Sequence, residues 1–80
     1  MTVTVDVGPD RVADISIINL GPTSPAEAAN TNGERLYRWA VDTRHDDGRQ
    51  SRATGCVRHR RGAGWAVLVR LVLEAWEDSQ

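Results

Sequence analysis

The sequence predicts an α+β fold in which an antiparallel sheet of about four strands, arranged as two hairpins, carries one C-terminal helix packed on one face. Three observations predict it. Valine and isoleucine alternate with polar residues through the first twenty positions, Asp47-Gly48 divides two further extended stretches, and apolar residues recur at helical spacing from Trp65 onward.

Taken in order, Val3, Val5 and Val7 alternate with Thr2, Thr4 and Asp6, the period-two pattern of a half-buried strand, and Gly8-Pro9-Asp10 ends it. From Val12 to Leu20 the isoleucines dominate. Ala13, Ile15 and Ile17 share one face while Asp14 and Ser16 take the other, and Gly21-Pro22 stops the run. These two strands form the first hairpin. Residues 21–33 read as a flexible loop, although Ser24-Pro25-Ala26-Glu27 has the order of a helix start, with a capping Ser, Pro at the first position and Glu at the third. That order allows a single helical turn.

The second hairpin follows from Leu36 to Thr43 and Ser51 to Arg60, with Asp47-Gly48 favouring a two-residue type I′ turn. This loop sets Trp39 opposite Cys56, Val41 opposite Thr54, Tyr37 opposite Arg58 and Ala40 opposite Gly55. One face is then aromatic and the other small. A longer loop through His45 to Arg49 shifts every pairing. After Gly62-Ala63-Gly64, the residues Trp65, Leu68, Val69, Val72 and Trp76 mark about three turns of helix, with Arg70 and Glu74 spaced for an i,i+4 pair.

Eighty residues fit a single domain, 1–80, and a chain of that size buries only roughly 60% of the surface it exposes unfolded. Its core is thin. The single cysteine, Cys56, excludes an intrachain disulfide, which makes a partner subunit a natural source of added stability. The first residues carry neither the basic nor the apolar segment of a secretion signal, so the expected compartment is cytoplasmic. The longest apolar run, Trp65 to Leu73, is too short to span a bilayer, and no membrane association is expected.

Net charge is −1, but it is unevenly placed. Residues 1–34 carry −4, residues 35–70 carry +6, and residues 71–80 carry −3. Acidic ends thus bracket a basic middle in which every cation is Arg.

No residue set satisfies the requirements of catalysis. Cys56 and His59 lie three apart in a strand and point to opposite faces, so they form no nucleophile and base, and Cys56 reads as a small core residue. His45, Asp46 and Asp47 are turn residues, not a metal site, since a bound metal draws ligands from separated elements. Gly62-Ala63-Gly64 is too short for a P-loop, and the chain has no Lys to complete one. No cofactor or metal is expected, and the chain is expected not to be an enzyme.

Two surfaces remain. Arg58, Arg60 and Arg61 adjoin Gly64 at the helix start, where free backbone N–H groups and the helix dipole favour an anion. The apolar stripes of the helix exceed what one sheet face covers, which points to a protein interface through Tyr37, Trp39, Val67, Leu71 and Trp76.

On Asp47-Gly48, Thr54-Gly55 and Arg60-Arg61, the order of hairpin, basic segment and long helix over residues 34–77 is similar to that of the double-stranded-RNA-binding domain. That likeness implies basic residues at the helix start facing phosphate. It is a likeness of element order and not of membership, because that family begins with a helix and carries a run of Lys, whereas this chain begins with strands and has no Lys.

The expected function is therefore that of a non-enzymatic interaction or assembly module, acting as a homo-oligomer or with a protein partner. Weak nucleic-acid or phosphate binding through the arginine cluster is the alternative.

Overall fold

A computed structural model describes residues 1–62 and 64–79. Ala63, the middle residue of Gly62-Ala63-Gly64, lies outside the described residues. The elements are β1 (Thr2–Gly8), β2 (Arg11–Pro22), α1 (Pro25–Ala28), β3 (Glu34–His45), β4 (Gln50–Arg60) and α2 (Trp65–Asp78). The four strands form one antiparallel sheet in the order β1-β2-β3-β4. The predicted α+β fold is the observed one.

Odd-numbered residues of the strands face α2. Ala13, Ile15 and Ile17 of β2, Tyr37, Trp39 and Val41 of β3, and Leu68, Val72 and Trp76 of α2 build a single buried core. Val3, Val5 and Val7 of β1 and Ala53 and Val57 of β4 flank it, half-buried. The alternation read in β1 and β2 is this inward-facing set. Among the described residues no element covers the opposite face of the sheet, as expected for an antiparallel sheet with one solvated side.

The β3–β4 register differs by one from that of a two-residue turn. Trp39 pairs with Gly55, Val41 with Ala53, Tyr37 with Val57, Ala40 with Thr54 and Arg38 with Cys56. The cause is the turn itself. His45 donates to Arg49 O at 2.9 Å and Gly48 donates to His45 O at 2.9 Å, so three residues, Asp46-Asp47-Gly48, close the hairpin. Gly48 has φ of 89°, the left-handed residue that follows a type I turn in such loops. Because side chains alternate, the slip by one carries Cys56 to the exposed face, and the expectation of a core cysteine is corrected.

The slip also places Gly55 beneath the Trp39 ring. A Cβ at Gly55 falls 2.6 Å from Trp39 Cζ2, so only glycine leaves the indole its place. Strand β2 runs past its predicted end through a bulge at Leu20, with Asn19 paired to Tyr37 and Gly21, at φ of 108°, paired to Leu36.

The predicted helical turn forms as α1, where Ser24 Oγ accepts from Glu27 N at 3.3 Å. It is held by polar contacts instead of an apolar face. Arg35, only 6% exposed, donates to the carbonyls of Glu27 (2.9 Å), Glu34 (3.2 Å) and Asn30 (3.2 Å), and the Glu27 carboxylate accepts from Glu34 N at 2.6 Å. No helix of the described residues is long and apolar enough to cross a membrane.

Candidate functional site: the helix-start cleft and the open sheet face

The fold separates the predicted arginine cluster. Arg58 and Arg60 are even-numbered strand residues and belong to the face turned away from α2, while Arg61, just past the end of β4, borders a cleft on the helix side with Gly64. The predicted interface is also divided. Tyr37 and Trp39 are 4% and 5% exposed within the chain's own core, and Trp76 is buried beside them with the Arg11 guanidinium 5.8 Å from its ring centre. Val67 and Leu71 remain half-exposed on α2.

The cleft at the start of α2 has a volume of about 370 Å³ and is lined by Asn19, Tyr37, Arg61, Gly62, Gly64, Trp65 and Leu68. The β2–β3 register brings Asn19 and Tyr37 side by side, and the end of β4 brings Arg61 to the same end of the sheet. Asn19 Oδ1 accepts from Gly21 N at 2.8 Å, which leaves its NH₂ group free to donate. Gly64 caps α2 with a backbone conformation (φ 77°, ψ 153°) and no side-chain hydrogen bond, and no acid lies in the first turn. The first N–H groups of the helix therefore stay available. Trp65 is 48% exposed and forms an apolar wall with Leu68.

The open face has a different character. Here Asp14 accepts from Thr4 Oγ1 at 2.7 Å and pairs with Arg44 at 3.2 Å, and Asp42 pairs with Arg52 at 3.1 Å. Among the described residues Arg38, Arg58 and Arg60 form no ion pair. A depression of about 320 Å³ over Ala40 is bordered by Ser16, Ile18, Arg38, Arg52 and Thr54. Ile18 is 58% exposed, and in the sheet order Ile18, Arg38 and Cys56 form one cross-strand row, with Leu36 and Arg58 in the next.

Reading residues by parity reaches much of this only once the register is right. Arg38 joins Arg58 on one face because both are even-numbered, and Asn19 joins Tyr37 because both are odd. Cys56 and His59 lie on opposite sides of the sheet, as the strand period requires. Among the described residues, no group of three or more His, Cys, Asp or Glu stands together as a metal site would need. Compared with protein families, curated proteins and solved structures, the chain matches none.

Proposed function

We propose that the protein is a non-enzymatic interaction module whose working surface is the open face of its sheet and whose partner is an acidic segment of another protein. The observation that carries this reading is the cluster of Arg38, Arg58 and Arg60, without ion pairs among the described residues, beside the exposed side chains of Ile18 and Cys56. A surface that mixes free cations with apolar side chains matches a partner presenting carboxylates and apolar groups in alternation.

Nucleic acid is the less favoured occupant of this face. Sheets that bind single strands do so by stacking bases on aromatic side chains. Here Tyr37 and Trp39 point to the core, and Trp65 and Trp76 belong to the helix. A second copy of the chain is less favoured for a different reason, since Tyr37, Trp39 and Trp76 are already enclosed by their own chain.

A titration of the ¹⁵N-labelled protein with a peptide of alternating Glu and Val tests this. At ~1 mM, where a contact worth about 4 kcal/mol is half-saturated, the amides of Ile18, Arg38, Cys56 and Arg58 shift, and Arg38→Glu with Arg58→Glu abolishes the shifts. Absence of shifts, or shifts confined to α2, overturns the proposal. An RNA duplex that binds through the same arginines while the peptide does not transfers the face to nucleic acid. Light scattering that shows a dimer, with those amides protected, transfers it to a second copy.

A further inference from the structure

We propose that the cleft at the start of α2 is a separate binding site for a small phosphomonoester that carries a planar ring, of the size of a nucleoside monophosphate. Four observations converge on it. The lining residues carry the Arg61 guanidinium, the Asn19 NH₂, the Tyr37 hydroxyl and the backbone N–H groups of Gly64 and Trp65 as donors, and no carboxylate is among the lining residues. A lining of donors without a carboxylate selects an anion.

The Tyr37 hydroxyl supplies the second observation. Its residue is 4% exposed, and the hydroxyl makes no hydrogen bond among the described residues. Trp39 Nε1 is the one fully enclosed side-chain polar atom without a partner among those residues, so the Tyr37 hydroxyl reaches solvent, and it does so in the cleft that Tyr37 lines. A nearly buried ring thus presents one hydroxyl, without a protein partner among the described residues, to the cleft that Arg61 also lines.

The third observation is the helix end. α2 has fourteen residues, an N-cap glycine without a side chain to occupy the first N–H groups, and no acid in its first turn. Those N–H groups and the dipole behind them suit a phosphate, and Arg61 adds a forked charged donor. The fourth is the apolar wall. Trp65 is a tryptophan left about half exposed by its own fold, and with Leu68 it offers a flat surface for a ring adjacent to the phosphate position. The volume of about 370 Å³ lies in the range of small-ligand sites.

This site lies on the helix side of the sheet and is independent of the open-face reading, so either can fail alone. The test is titration of the ¹⁵N-labelled full chain with adenosine monophosphate, inorganic phosphate and adenosine in parallel. Adenosine monophosphate is expected to shift the amides of Gly62, Gly64, Trp65 and Ala66 together with the Trp65 indole N–H. Phosphate alone is expected to move the same amides with roughly tenfold weaker affinity, and adenosine to bind more weakly still. Arg61→Glu lowers affinity for the monophosphate at least ~tenfold, and Tyr37→Phe lowers it several-fold while amide positions elsewhere stay unchanged. The proposal is overturned if ~5 mM monophosphate at low salt moves none of these signals, or if Arg61→Glu binds as well as the parent. Adenosine binding as tightly as its monophosphate also overturns it, and equal affinity for inorganic phosphate removes the ring from the ligand.

Discussion

Gly55 and Cys56 are adjacent and have opposite requirements, which shows how finely the strand register acts on single residues. Gly55 lies under the Trp39 indole, and its substitution by Ala forces the ring from a packed position. Gly55→Ala is expected to lower stability by about 1–3 kcal/mol in urea unfolding, the usual cost of overpacking. Unchanged stability places the indole elsewhere. Cys56, by contrast, stands on the open face. Its thiol is expected to react fully with a disulfide reagent in the native state, and Cys56→Ser to change stability by no more than about 0.5 kcal/mol. A thiol that reacts only after unfolding restores the two-residue register. Arg35 is the third residue of this kind, a nearly buried cation whose partners are the carbonyls of Glu27, Asn30 and Glu34. Arg35→Leu removes three charge-assisted hydrogen bonds while the carbonyls keep their backbone donors Asn30 N, Gly33 N and Thr23 N, and a loss of about 1.5–3 kcal/mol with increased proteolysis near residues 24–33 is expected, read by unfolding and limited digestion.

At the scale of the element, the β3–β4 turn decides more than its length suggests. The turn of Asp46-Asp47-Gly48 works because Gly48 takes φ of 89° without strain. Gly48→Val is expected to cost about 1–2 kcal/mol, as judged from the chemical midpoint, because a β-branched residue resists that conformation. Helix α2 depends on packing, since β-branched Val67, Val69 and Val72 are weak helix formers and the N-terminus has no side-chain cap. Its hold on the sheet is the row of Leu68, Val72 and Trp76. Leu68→Ala is expected to lower stability by about 2–5 kcal/mol, and loss of near-ultraviolet signal from the tryptophans in the same transition checks that the helix leaves with the core.

The whole molecule is long and narrow, 48 × 19 × 18 Å, with one covered and one bare sheet face. Strands β2 and β3 have neighbours on both sides, whereas β1 and β4 are edges. Amide hydrogen exchange is expected to be slowest for Ile15, Ile17, Trp39 and Val41, faster along β1 and β4, and fastest around α1, which no buried apolar residue anchors. Slow exchange throughout β4 points instead to a partner strand on that edge. The β4 edge carries its own deterrent to self-pairing, because a full-length antiparallel match of two copies sets Arg52 opposite Arg58. The acidic ends and basic middle of the sequence also resolve at this scale. Asp14 of the acidic N-terminal stretch pairs with Arg44, Asp42 and Arg52 pair within the basic middle, and Arg38, Arg58 and Arg60, without ion pairs among the described residues, lie toward the other end of the open face.

What the sequence determined by itself was the set of elements and which residues of each share a face: alternation grouped Ala13, Ile15 and Ile17 in β2 and Tyr37, Trp39 and Val41 in β3, and helical spacing grouped Leu68, Val72 and Trp76 in α2. These properties depend on the period of one segment and need no neighbour. The enclosure of Tyr37, Trp39 and Trp76 by their own chain instead of a partner came from the tertiary packing. Only the tertiary structure decided what the segments present to each other and to solvent. Whether Asp47-Gly48 closes two residues or three changes nothing within β3 or β4, yet it moves Cys56 from core to surface and brings Gly55 under Trp39. The arginines of residues 58–61 are neighbours in the chain, but the pleat and the end of β4 send them to opposite sides of the sheet. The cleft joins residues from 19 to 68 through two registers and a helix position, and a pattern read along one segment cannot hold such a coincidence of separate ones.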